Sequence, residues 1–160
     1  MQNHYRADID GFRAIAVLSV VFFHSNIKPF DIDFFSGGYL GVDIFFVISG
    51  YLITGIILRE LQNHKNKFNY LGFYERRIRR ILPALFFIIL VSIPFAYFTL
   101  LPKHLLDYAK SILAAVYFFS NFHFINYDYY DVEAILKPLL HTWSLSVEEQ
   151  FYVFYPFFLV

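Results

Sequence analysis

Four apolar stretches, covering residues 12–30, 39–59, 81–101 and 111–127, set the terms on which this 160-residue chain can fold. Roughly 20 apolar residues in helical form cross the hydrocarbon of a bilayer, where every backbone N–H and C=O must find its partner within the segment. The stretches therefore predict an all-α protein, a polytopic transmembrane helix bundle with four complete spans. Hydrophobic residues make up 58% of the chain and aromatics 22%, above the range of soluble domains.

Charge orients the spans. Lys65, Lys67, Arg76, Arg77, Arg79 and Arg80 gather between the second and third stretches, which places that loop in the cytoplasm by the positive-inside rule. Two spans precede it, so the amino terminus is also cytoplasmic, and the connection from Lys28 to Gly38 lies on the opposite side. Asp8 and Asp10 precede the first stretch, and no small-residue cleavage pattern follows it. It reads as a retained span rather than a removable signal. The side of the acidic, tyrosine-rich segment from Asn126 to His141 depends on whether 111–127 spans, which the residues leave open.

Ser146 and Glu149 form a capping-box pattern that predicts a further helix from about residue 147. Its roughly fourteen residues fall short of a span. The expected architecture is four spans plus the start of a fifth, truncated, with residues 1–160 the N-terminal part of a larger membrane domain.

Formal charge is zero, with 13 basic and 13 acidic residues, so nothing in the overall electrostatics points to nucleic acid. The absence of cysteine excludes a disulfide frame, a thiolate nucleophile and a cysteine-ligated metal.

Chemistry-bearing residues stand out against the apolar background. Arg13 and His24 are eleven residues apart, a spacing that brings a helix almost back to its starting face. Ionisable groups on a lipid-embedded helix are costly and mark pathways or reaction centres. Asp10 reads as the N-cap of this helix, pairing with Arg13. The plain reading of His24 is a hydrogen bond to a neighbouring helix; the sharper one is a base toward a hydroxyl, since imidazole exchanges a proton near neutrality.

Arg77 and Arg80, one turn apart at the cytoplasmic edge, either set topology and meet anionic lipid or clamp phosphates through their planar guanidinium groups. On the second stretch, Asp43, Gly50 and Thr54 fall near one face, the glycine permitting close helix approach. Asp43 is placed to pair with Arg13 or to orient His24. Glu149 reads as a carboxylate in the first turn of the last helix, favoured there by the helix dipole. Glu148, about 100° away and close in sequence to His141 and Trp143, is a candidate for a substrate mouth. Asp128, Tyr129, Tyr130 and Asp131 either stack on a sugar or belong to an interfacial aromatic belt.

Four phrases carry a family resemblance: Tyr5 to Val17 leading to Phe23-His24, the glycine-rich run to Ser49-Gly50-Tyr51-Leu52, the arginine loop before Ile81-Leu82-Pro83, and His141-Thr142-Trp143-Ser144-Leu145-Ser146-Val147-Glu148. In wording and order they resemble the acyltransferase-3 family of bacterial integral-membrane O-acyltransferases. The resemblance implies a multi-pass protein of the bacterial inner membrane. It would transfer an acetyl or other short acyl group from cytoplasmic acyl-CoA, its co-substrate, to a hydroxyl of a cell-envelope glycan such as O-antigen lipopolysaccharide or peptidoglycan.

Carried over residue by residue, His24 matches the family's essential histidine, Arg13 its helix-one arginine, Arg77 and Arg80 its cytoplasmic arginine motif, and Asp43 and Glu148 further motif positions. His24 then acts as base or as transient acyl carrier while arginines hold the cofactor phosphates, with no metal implied. The family's bundle has about twice as many helices as these residues supply. Competing readings are a proton- or anion-coupled transporter with Arg13, His24 and Asp43 as its relay, and a structural membrane scaffold.

Overall fold

The computed structural model describes residues 6–25, 36–63, 68–125 and 136–160, and among these residues all regular structure is helical. The helices are α1 (Ala7–Ser25), α2 (Leu40–Asn63), α3 (Tyr70–Thr99), α4 (Pro102–Val116), α5 (Ser120–Phe124) and α6 (Thr142–Leu159). The chain divides into two compact units, Met1–Arg59 and Glu60–Val160. Among the described residues two helices, over Leu40–Gln62 and Tyr70–Thr99, are long and apolar enough to cross a membrane. Their outward side chains include Val47 at 73% exposure, Phe87 at 67%, Leu90 at 66% and Phe95 at 67%. So much apolar surface is unfavourable against water and suits hydrocarbon.

In the first unit α1 and α2 run antiparallel. Arg6 meets Tyr51, Arg13 meets Phe45, Ala16 and Val20 meet Gly41, and Phe23 meets Tyr39. The glycine that permits the close approach is Gly41. A Cβ added there would overlap the Ala16 carbonyl oxygen and lie 2.8 Å from Val20 Cγ2, whereas one added at Gly50 would have nothing within 4 Å. The packing role expected of Gly50 thus belongs to a residue nine positions earlier. Asp10 also departs from expectation: α1 starts at Ala7, which places Asp8 and Asp10 in its first turn rather than at its cap. Carboxylates there still oppose the positive end of the helix dipole. Residues 12–25 of the first predicted span are helical, and 26–30 lie outside the described residues.

The second unit corrects three boundaries. The third stretch is the later part of α3, a helix of 30 residues and about 45 Å in length. It starts where the Asn69 side chain accepts a hydrogen bond from Gly72 N at 3.0 Å. Arg77 and Arg80 therefore sit within this helix rather than in a loop before it. The fourth stretch is not one helix. α4 ends at Val116, Phe118 takes a left-handed conformation with φ of 56°, and the five-residue α5 follows.

α6 starts at Thr142, so Ser146 and Glu149 lie in its second turn and form no capping box. Ser146 Oγ instead donates to the Thr142 carbonyl at 3.1 Å and accepts from Ser120 N at 3.1 Å. Gln150 extends the α5–α6 contact. Its Nε2 donates to the Phe118 carbonyl at 2.7 Å and to Asn121 Oδ1 at 3.0 Å. Leu85, Ile89 and Ala96 of α3, Tyr108 and Ala115 of α4, and Leu139 form the apolar core of the unit. The Tyr108 hydroxyl meets Ser92 Oγ at 2.7 Å within it.

Candidate functional site

Arg13 and His24 occupy one side of α1 about 16 Å apart along its axis. Arg13 forms a long ion pair with Asp10, Nη1 to Oδ1 at 3.7 Å, and its guanidinium lies 5.6 Å from the centroid of the Phe45 ring. The Asp10–Arg13 pair read from the sequence is therefore present. His24 sits in the last turn, Nδ1 2.9 Å from the Val20 carbonyl and its ring edge-on to Phe23 at 5.1 Å. A carbonyl can only accept, so Nδ1 carries the hydrogen and the neutral ring holds its basic lone pair on Nε2. Asp43 is exposed in the first turn of α2. Among the described residues no ion pair joins it to Arg13, whose carboxylate partner is Asp10.

At the start of α1, ahead of the apolar run, Arg6 grips Asp8 with Nη2 to Oδ2 at 2.7 Å and Nε to Oδ1 at 2.9 Å. The hydrogen bonds from Arg6 hold the Asp8 carboxyl at about 2, below its ordinary 3.8.

The second unit separates two arginines that the sequence paired. Arg77 is half-buried and lies over the ring of Tyr152, 4.4 Å from the centroid, with Phe73 on another side at 5.7 Å. Arg80 is exposed. Tyr152 donates its hydroxyl hydrogen to Glu148 Oε1, and Arg77 is within electrostatic reach of both Glu148 and Glu149. Tyr74 of α3 ties the same two helices together through its hydroxyl and the Val153 carbonyl, 2.8 Å apart.

Glu149, read from the sequence as a cap, is buried at 8% exposure, and its Oε1 has no hydrogen-bond partner among the described residues. A carboxylate in such a position is costly unless a charge such as Arg77 offsets it. The signal was in the spacing. Ser146, Glu149, Tyr152 and Pro156 repeat at helical intervals and all four are buried. His141 occupies the N-cap position of α6 and Trp143 is half-buried in its first turn. Asp128, Tyr129, Tyr130 and Asp131 lie outside the described residues.

A family model described as an acyltransferase domain, Acyl_transf_3, matches residues 6–160. The chain belongs to the acyltransferase-3 family. It is 41% identical over 156 residues to O-acetyltransferase OatA of Staphylococcus aureus (strain NCTC 8325 / PS 47), which covers 95% of this chain and 24% of that protein. It is 40% identical over 163 residues to YrhL of Bacillus subtilis (strain 168), provisionally named a peptidoglycan O-acetyltransferase, covering 99% of this chain and 24% of that protein. The chain thus spans about a quarter of the length of the curated relatives it matches. No solved structure matches it. Within this acyltransferase-3 chain, Arg13 and His24 belong to the first unit and Arg77 and Glu148 to the second.

Proposed function

We propose that this chain is part of a membrane O-acyltransferase that moves an acetyl or other short acyl group from cytoplasmic acyl-CoA to a hydroxyl of peptidoglycan. The family match over residues 6–160 and the O-acetyltransferase names of relatives at 40–41% identity support the reaction class. The acceptor follows the name given to YrhL rather than the O-antigen alternative.

The observation that carries the mechanism is the Nδ1 contact of His24 with the Val20 carbonyl, which leaves Nε2 as the basic nitrogen of the ring. In this mechanism Nε2 takes the proton of the acceptor hydroxyl as its oxygen attacks the thioester carbonyl. A tetrahedral intermediate forms, the C–S bond breaks, and the departing thiolate recovers the proton from the imidazolium. As a transient carrier, Nε2 would attack the thioester carbonyl and expel the thiolate; the hydroxyl oxygen would then attack the acyl carbon, the C–N bond would break, and the hydroxyl proton would pass through the freed imidazole to the thiolate. In this reading Arg77 and Arg80, the residues that match the family's arginine motif, supply positive charge for the phosphates of the donor.

The test uses a cell envelope made in a strain that expresses the protein bearing this chain, with base-labile acetate released from purified peptidoglycan as the readout. His24→Ala is expected to lower the acetylation rate about 100-fold or more. Wild-type acetate release by that variant at equal membrane abundance overturns the role of His24.

A further inference from the structure

We infer that the end of the first unit where α1 begins and α2 finishes is a binding site for a phosphate or diphosphate ester carried on an organic tail. A cavity of about 530 Å³ opens there, lined by Arg6, Arg13 and Arg59 and by Asp10 among others. Its size falls within the roughly 300–1,000 Å³ of small-molecule sites.

The charges around it do not cancel. Asp8 engages Arg6 at 2.7 Å and Asp10 leans on Arg13 at 3.7 Å, but among the described residues no carboxylate pairs with Arg59. Arg59 is exposed at the rim. Tyr51, whose hydroxyl accepts from Arg6 Nη1 at 3.4 Å, lines the same cavity and carries a further donor. Apolar residues, among them Ile9, Leu52, Ile56 and Leu58, also line the cavity. Guanidinium forks beside apolar side chains fit an amphiphilic anion, since guanidinium matches phosphate oxygens two at a time and is only weakly hydrated.

Position agrees with chemistry. The cavity lies at the end of α2 that leads on toward the basic residues 65–80, the end to which the positive-inside rule assigns the cytoplasm. The choice of ester rests on the acyl-donor reading above. On that reading the nucleotide phosphates of acyl-CoA enter here; an anionic phospholipid headgroup presents the same chemistry. Arg59 and Tyr51 thereby become ligand-binding residues alongside Arg13.

The test compares the wild-type chain with Arg59→Gln and Arg59→Lys, reconstituted in phosphatidylcholine nanodiscs with or without phosphatidylglycerol. Helicity is checked by circular dichroism, and the probes are acetyl-CoA, inorganic pyrophosphate and retained phosphatidylglycerol. Loss of one bidentate charged contact weakens binding about tenfold, and lysine is expected to restore part of it. Should Arg59→Gln lose helicity, Arg59→Lys alone is compared, with a smaller loss expected.

Weakened acetyl-CoA binding without phosphatidylglycerol identifies the donor phosphates. Unchanged acetyl-CoA binding with less retained phosphatidylglycerol identifies a lipid headgroup. If wild type binds no acetyl-CoA while Arg59→Gln weakens pyrophosphate or phosphatidylglycerol binding, the acyl-donor reading falls and the phosphate site stands. If wild type binds acetyl-CoA and the folded Arg59 variants match it for all three probes, the site is overturned and the proposed reaction is untouched.

Discussion

The guanidinium of Arg77 lies over the face of Tyr152, 4.4 Å from the ring centroid, and so joins α3 to α6 through a charge–ring contact. The same ring passes its hydroxyl hydrogen to Glu148. One aromatic side chain thus holds an arginine and a glutamate that the sequence assigned to separate roles.

The contact should appear in a double-mutant cycle. Arg77→Met and Tyr152→Leu each lower stability in detergent, and their coupling energy is expected at about 1 kcal/mol. Tyr152→Phe keeps the ring and should preserve most of that coupling while releasing Glu148. Strict additivity of the two substitutions, read from unfolding transitions, would remove the contact from the list of interactions that hold the unit.

At Gly41 the added methyl group of alanine collides with the Ala16 carbonyl and the Val20 side chain. Gly41→Ala is expected to destabilise the α1–α2 pair by about 1–3 kcal/mol. Gly50→Ala meets open space and should be neutral or stabilising by up to about 1 kcal/mol, the helix-propensity difference. Thermal melts of the two variants decide the matter, and equal effects would contradict the packing described.

Gln150 bonds the carbonyl of Phe118 and the side chain of Asn121. Gln150→Ala leaves both without that partner at a half-buried site, at a cost of about 1–3 kcal/mol. Hydrogen exchange should then quicken in Ser120–Phe124 before it does in α3. Unaltered protection of α5 in the variant would show that the clasp contributes nothing.

Asp8 supplies a pH dependence whose sign is fixed by its downward shift from 3.8 to about 2. A depressed carboxyl stabilises the folded form fully above its unfolded value, and this contribution is lost as pH falls through the folded value. The Arg6–Asp8 contact should therefore persist at pH 4 and open as pH falls through about 2. Carboxyl chemical shifts follow it directly. Arg6→Gln should return Asp8 to the ordinary carboxylate range, and a wild-type midpoint near 3.8 would refute the pairing.

Helical content, the apolar spans of α2 and α3, and the Asp10–Arg13 pair were legible because each depends on residues close together in the chain. The start of α3 was also written locally, in Asn69 three residues before Gly72, inside the segment that charge alone assigned to a loop. The break after α4 was not legible. Hydropathy averaged over 111–127 does not register one phenylalanine with a positive φ. That conformation is held by Gln150, 32 positions along the chain, which bonds the Phe118 carbonyl.

The amino-acid order alone determined that this chain forms apolar helices, which end of α2 carries positive charge, and that His24 and Arg13 share a side of α1. Periodicity and backbone hydrogen bonding act within a few residues, so local sequence suffices for these features. Tertiary structure alone decided that Glu149 rather than Glu148 is buried, that Gly41 rather than Gly50 receives the neighbouring helix, and that Arg77 turns inward while Arg80 stays exposed. Each of these depends on which surface a distant segment covers, and desolvation, close packing and ring contacts arise only once that segment is in place.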